Sequence, residues 1–454
     1  MTRDYRFGRR TVLAGSALAL AGCVEDETPT DIDDENDDSN GQDENGQEED
    51  GGVTEDDDAN GEERSEEDED EDDEADAETG EGDLSVWHDF NSTTETSFTH
   101  WTDEFEAETG LDIAVTEVAD LEDRIETGVP SGEAPEMWPW LHDWVDNHWD
   151  RGFLADVSGD LTIDLDAEFT DAAVEAVQPS GTDAVVGLPY AGETMTLFYN
   201  PELIDEPPET YDEMLTIAQE FHNPQYGEYG ITHPVDVYFI SWALQAFGSR
   251  IFEVNDAGEP QLGLEEDSMH EGMALFRELY NYMPRDLFYD PQISAFANGD
   301  APLHFNGPWA VRDFNDRDTE FAVAELPAIE GGSATPFAGI DVWYFSSMIN
   351  EDDDRKEASI EFGEWFTTTD EIVEHHAEEY GHVPVTTSVN ENELPDDVRG
   401  FYHAMEQGVP MPADPRMNQV WQPLEDAISN ILIDDADIAD EFGAAAASIR
   451  AAWE

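Results

Sequence analysis

The stretch DLSVWHDFNSTTETSFTHWTDEFEAETGLDIAV, Asp83–Val115, decides the fold class. Leu84 to Trp87 reads as a short strand. From Glu95 to Thr109 the apolar residues Phe98, Trp101 and Phe105 recur on one helix face, and Gly110 ends the pattern. Leu111 to Val115 alternates as a second strand. Strand, helix and strand in this order make a βαβ unit, which places the strands parallel beneath a covering helix. A second helix over Leu121–Thr127 and an aromatic run at Glu136–Leu141 extend the unit to βαβαβ. The expectation is an α/β fold with mainly parallel sheets flanked by helices.

Upstream of this stretch the composition changes. Between Val24 and Asp83 more than half the residues are Asp or Glu, and Arg64 is the single base. Such a segment buries too little apolar surface to offset its ordering entropy, and its charges repel. It is expected to be a disordered, extended tether. The first residues, MTRDYRFGRRTVLAGSALALAGC, carry a charged region and an apolar run too short to span a bilayer. The pair Arg9-Arg10 resembles a twin-arginine export signal, and Leu20-Ala21-Gly22-Cys23 resembles a lipobox. In that reading residues 1–23 are the signal, 24–83 the tether, and Cys23 carries a lipid on the outer face of the membrane. One acyl chain holds weakly, so a dual-chain anchor is expected. Cys23 is the only cysteine, which rules out an intramolecular disulfide.

The chain has 113 acidic residues against 17 Lys and Arg, a net charge of −96 at pH 7. The folded part keeps one lysine, Lys356, and its acids are spread over nearly every polar segment. That spread points to a salt-adapted surface, as in halophilic archaeal proteins, and not to one docking patch. It also excludes nucleic-acid binding, which needs basic stripes.

Downstream, strands are expected at Val185–Tyr190 and Thr194–Tyr199, separated by Ala191-Gly192-Glu193. Helices follow at Glu209–Phe221, Phe239–Phe247 and Met269–Tyr282. The stretch FANGDAPLHFNGPWAV, Phe296–Val311, reads as a turn at Asn298-Gly299, a strand over Ala301–Phe305, and a sharp turn at Asn306-Gly307-Pro308 that delivers Trp309. Pro308 suits the start of a helix. Strands at Phe321–Leu326 and Ile340–Ser346 precede a mostly helical C-terminal part, with helices at Arg355–Thr367, Ile372–Tyr380, Val398–Gln407, Val420–Leu432 and Ile438–Ala452.

Catalytic templates are missing: the sequence has no G-x-S-x-G elbow, no P-loop and no G-x-G-x-x-G after a strand. The run Glu374-His375-His376-Ala377-Glu378-Glu379 lacks the spacing of a zinc helix and reads as a solvated acidic helix. No metal or cofactor is expected. Asp143 and Glu193 would serve as a glycosidase pair, although two acids among so many carry little weight. The aromatic residues say more. Of twelve tryptophans, Trp87, Trp140 and Trp309 fall at strand ends or tight turns, where open α/β sheets bind ligands. Sugars offer flat C–H faces and a rim of hydroxyls. Aromatic rings beside carboxylates such as Asp89, Asp143 and Glu193, with Asn91 nearby, suit both. The alternative for each tryptophan is a place in a core.

From about Leu84 to the C-terminus the chain resembles the maltose/maltodextrin-binding proteins of ABC importers. The resemblance is carried, in order, by LSVWHDF, FEAETGLDIAVTEV, PEMWPWLHD, LPYAGETMTLFYNPELI, AFANGDAPLHFNGPWAV, TPFAGIDVW and MPADPRMNQVWQPLEDAI. It implies a two-lobe type II binding fold with a sugar cleft between the lobes. The lobes would be 84–191 with 341–390, and 192–340 with 391–454. Crossings would lie at Ala191-Gly192, in the region 337–341 and near Asn390, closing by a hinge. By the same resemblance Trp309, Trp421 and Tyr238 stack on sugar, with Phe239 as the alternative to Tyr238. Asp143 and Glu193 are cleft acids, and Trp87 and Trp140 lie near the cleft. Three family cations are absent: Trp144 and Glu425 stand where arginines are common, and Asn91-Ser92 where a lysine is. Trp144 would then widen the stacking surface. Asn91-Ser92-Thr93 also forms an N-glycosylation acceptor, which its place near the cleft would leave unoccupied. The function implied is delivery of an oligosaccharide to the permease subunits of an ABC transporter, by a monomer that is not an enzyme. A polyamine or sugar phosphate as solute, and a surface glycosidase, are the alternatives.

Overall fold

Strand and helix fall close to where the opening stretch puts them. The computed structural model describes residues 82–454, apart from 91, 256, 391 and 393. The signal, Cys23, the tether as far as residue 81, and Asn91 lie outside the described residues. Strand β1 is Leu84–His88, the next helix Ser92–Thr109, β2 Ile113–Glu117, and β3 Met137–Leu141. β2 begins two residues later than its alternation suggests, because Leu84 pairs with Ile113 and sets the register. β1 runs parallel to both β2 and β3.

The sheet then continues antiparallel. β10, Phe337–Phe345, lies against β3 on one side and against β4, Gly187–Thr194, on the other. A short β11, Val409–Pro410, pairs parallel with the start of β10. The first-lobe core beneath this sheet contains Phe105, Trp138, Trp343 and Tyr344, all fully buried. At its edge Glu136 accepts from the Ser85 amide at 2.7 Å and its hydroxyl at 2.5 Å, and pairs with Arg355 at 2.6 Å. One charge thereby joins the start of the sheet to the helix Asp353–Thr368.

The second core is built mainly from helices. Its sheet has three strands, with β5 (Thr196–Tyr199) between β8 (Leu303–Asn306) and β9 (Ala322–Ala324), all antiparallel. A two-stranded ribbon, β6 (Phe252–Val254) with β7 (Pro260–Leu262), lies apart from it. Strand directions are thus more mixed than the βαβ opening implies. The helices Tyr211–Phe221, Val237–Leu244, Asp267–Tyr280, Trp421–Ile433 and Ile438–Ala452 supply most of the buried apolar residues of this lobe.

One boundary needs correction. The sequence separates two strands at Ala191-Gly192-Glu193, but β4 continues through these residues to Thr194, with a register shift at Tyr190, and only Met195 parts it from β5. Gly192 exchanges backbone bonds with Val383 at 2.7 and 3.0 Å. A Cβ at Gly192 would come within 2.6 Å of the Met405 side chain. The glycine makes room for Met405. No helix among the described residues is long and apolar enough to cross a membrane.

Candidate functional site

Trp309 is positioned by the residues before it. Asn306, fully buried at the end of β8, accepts the Gly307 N–H at 2.8 Å and donates to the Tyr289 hydroxyl at 3.2 Å. A Cβ at Gly307 would stand 2.1 Å from the Trp309 ring, so the indole folds over the bare backbone. Pro308 has φ −60°, and the Val311 N–H donates to its carbonyl at 2.9 Å, opening the helix Trp309–Asp316. Trp309 is left half-buried as the first helical residue.

Tyr238 and Phe239 both approach that indole at 6.1 Å, the tyrosine tilted by 40° and the phenylalanine near edge-on at 79°. They belong to the helix Val237–Leu244, capped by Asp236, whose carboxylate accepts the Phe239 N–H at 2.8 Å. Ser241 of this helix accepts the Phe337 N–H at 2.9 Å, and the Phe337 ring meets Trp421 edge-on at 6.0 Å. Trp421, like Trp309, opens a helix and is half-buried. The start of β10 therefore ties Tyr238 and Trp421 to one frame.

The first-lobe aromatic residues form a stack of their own. Trp140, near the end of β3, stacks on Trp144 at 4.4 Å with 23° between the rings. Trp144 leans in turn on His148 at 4.8 Å and is only 8 % exposed. It backs Trp140 and does not itself widen the open surface. His142 joins this segment to β10 and to Met411 just past β11. Its Nδ1 accepts the Ile340 N–H at 3.1 Å, so the proton sits on Nε2, which donates to the Met411 carbonyl at 3.0 Å. Burial lowers its pKa to about 4 and keeps the ring neutral. Asp143, the next residue, is thereby held half-buried beside Tyr344, whose hydroxyl donates to the Leu141 carbonyl at 2.8 Å.

Glu193 is buried on β4 opposite Gly339 of β10. A Cβ at Gly339 would meet Leu141 at 2.7 Å and the Glu193 side chain at 3.2 Å, so this glycine makes room for the acid. Asp89 is half-buried just past β1, between His88 and Phe90, whose rings stack at 4.9 Å. Phe90 and Trp309 share a cavity of about 30 Å³ with Tyr190, Asp341 and His376, room for about two water molecules.

Trp87 is a correction. It lies inside β1, not beyond its end, and with 3 % of its surface exposed it belongs to the first-lobe core. The acidic helix Asp370–Tyr380 also differs from its reading: His376 faces inward against Tyr190 and Phe366. No three His, Cys, Asp or Glu among the described residues are placed to hold a metal ion.

Two half-buried acids on the helices that carry Tyr238 and Trp421 escape the sequence reading. Asp236 looks like an ordinary helix cap, and Glu425 is noticed only as a replaced arginine. Burial raises Asp236 to about 6. Glu425, one turn after Trp421, is raised to about 7 by burial and by the nearby charges of Asp236 and Asp426. The cap spacing D-x-x-F ahead of an aromatic helix is the one sequence signal that could have located Asp236.

The geometry has counterparts elsewhere. A profile described as "Bacterial extracellular solute-binding protein" matches residues 100–399. A maltotriose-binding protein of Pyrococcus abyssi is 33% identical over 368 residues, covering 79% of each chain. A maltooligosaccharide ABC transporter solute-binding lipoprotein of Streptococcus pneumoniae is 22% identical over 68% of this chain and 74% of its own. The solved maltotriose binding protein of Thermus thermophilus, bound with maltotriose, superposes with a TM-score of 0.73 at 26% identity, covering 82% of this chain and 100% of that one.

Proposed function

The chain belongs to the bacterial extracellular solute-binding protein family, and from that premise we propose that its cleft binds a maltooligosaccharide or a related glucoside for an ABC importer. It is a binding protein and not an enzyme, so its side chains hold, orient and release the solute. The observation that carries the reading is the pair of half-buried tryptophans, Trp309 beside Tyr238 and Trp421 beside Phe337, each opening a helix. Such rings offer flat faces to sugar C–H groups. Trp140 forms the facing wall, and Asp89, Asp143 and Glu193 accept hydroxyl protons, charged acceptors giving the stronger bonds. Tyr238 is tilted toward Trp309 and Phe239 points its edge there; with 4 % and 2 % of their surfaces exposed, both rings back Trp309 from the core.

The lobes are taken as 84–191 with 341–390 and 192–340 with 391–454, closing on the sugar and presenting the closed form to the permease. A monomer tethered through residues 24–83 to a lipid on Cys23 would suit this role, and the acidic surface suits high salt. Titration with maltotriose in molar salt tests the function. A saturable change in tryptophan fluorescence together with a raised melting temperature is expected. Absence of both with maltotriose, maltotetraose and trehalose contradicts the reading.

A further inference from the structure

Three fully buried polar side chains, Thr232, His304 and Asn306, form a hydrogen-bonded chain that ends on the Gly307 backbone beneath the Trp309 indole. Thr232 is fixed by its own backbone. Its N–H donates to the Leu303 carbonyl at 2.9 Å, and its carbonyl accepts the Phe305 N–H at 3.1 Å, a bridge that sets it beside His304 of β8. His304 Nδ1 lies 2.8 Å from the Thr232 hydroxyl, and Nε2 lies 3.0 Å from the Asn306 amide nitrogen. Phe296, on the helix Tyr289–Ala297, stacks on the imidazole at 5.1 Å with 20° between the rings and so holds its plane.

The donor and acceptor roles in this chain have one consistent assignment. The Gly307 N–H is only a donor, so the atom 2.8 Å from it is the Asn306 amide oxygen. The amide nitrogen then faces His304, and Nε2 accepts from it. The ring proton therefore sits on Nδ1 and goes to the Thr232 oxygen, whose own proton goes to the Leu303 carbonyl at 3.3 Å. The other amide hydrogen of Asn306 reaches the Tyr289 hydroxyl at 3.2 Å. Tyr289 packs on Phe239 at 6.0 Å, and Phe239 meets Trp309 edge-on. A flipped amide would set an N–H against the Gly307 N–H. Burial lowers the His304 pKa to about 3, which keeps the ring in the neutral form the assignment needs.

We infer that His304 is a positioning residue for Trp309: with Thr232 it selects one orientation of the Asn306 amide, and that amide holds the Gly307 backbone under the indole and the Tyr289–Phe239 pair next to it. This rests on the proposed sugar-binding function, in which Trp309 is a stacking ring. A buried polar chain carries a desolvation cost that an apolar core avoids, and this one ends at the residue that carries the candidate site.

Calorimetric titration of the full chain with maltotriose in molar salt tests it. Thr232→Val keeps the shape but removes the acceptor for the Nδ1 proton, and maltotriose should bind roughly fivefold more weakly. Thr232→Ser restores the hydroxyl and should bind as the parent does. His304→Phe keeps a stacked ring but loses both nitrogens, and a weakening of roughly tenfold is expected. A residue that only packs would lower the melting temperature without changing the affinity of the folded protein. In a Trp309→Ala background these losses should vanish, because the ring they act through is gone. Affinity within about twofold of the parent for both Thr232→Val and His304→Phe, or equal losses with and without the Trp309 ring, overturns the inference. If His304→Phe does not fold, the two Thr232 variants decide alone. If maltotriose does not bind the parent protein, the proposed function fails separately. Fluorine NMR of fluorotryptophan-labelled protein then decides, with the Trp309 resonance identified by its loss in Trp309→Ala. A resonance that moves in Thr232→Val and returns in Thr232→Ser upholds the positioning, and one that stays in place in both overturns it.

Discussion

Tryptophans inside the first-lobe sheet and tryptophans at the second-lobe helix starts have opposite fates. Trp87, Trp138 and Trp343 sit within strands and are 3 %, 0 % and 0 % exposed. Trp309 and Trp421 each open a helix and stay half-buried. A strand in the middle of a helix-covered sheet has both faces buried, so a tryptophan there goes into the core. A residue at a helix start stands at the edge of the packed layer, where one ring face remains available. Place in the fold, and not residue type, separates the buried tryptophans from the half-buried ones proposed to bind sugar.

The sharpest way to break this contrast is to remove a ring from each set. Trp343→Ala should cost about 3–5 kcal/mol of stability, by analogy with other large-to-small core changes, and lower the melting temperature markedly. Trp309→Ala should leave the melting temperature nearly unchanged but weaken maltotriose by about 2 kcal/mol, roughly thirtyfold, as expected for an aromatic anchor. Gly307→Ala tests whether the backbone sets the ring: the added methyl would collide with the indole at 2.1 Å, and affinity should fall by about tenfold. Arg312→Ala should do least. Its ion pairs with Glu379 at 2.9 Å and Asp316 at 3.1 Å are partly exposed, each worth about 0–1 kcal/mol at low salt and less in molar salt. A large loss from Arg312→Ala, seen in thermal unfolding, would show that surface charge and not ring placement governs the second lobe.

Much of the architecture is legible in the sequence because its signals are local. The helix face of Phe98, Trp101 and Phe105, the stop at Gly110, and the Asn-Gly-Pro turn before Trp309 depend on neighbours along the chain. All fall where the structure has them, within a residue or two. The features that escape depend on contacts distant in sequence. Gly192 resembles a turn residue until Met405 is seen above it, more than two hundred positions later. Trp87 resembles a strand-end residue because the strand extends one position further, to His88, through pairing with β2. The antiparallel second-lobe sheet joins segments separated by about a hundred residues. Glu425 is visible as a lost cation, but its burial follows only once two helices pack.

The most direct test is a calorimetric titration of maltotriose into the protein and into Trp309→Ala in molar salt, with the melting temperature of each recorded. The account expects saturable binding to the parent protein, binding at least tenfold weaker to the variant, and nearly equal melting temperatures. Equal binding by both proteins, or a variant that binds normally and melts much lower, would return Trp309 to the core and contradict the account.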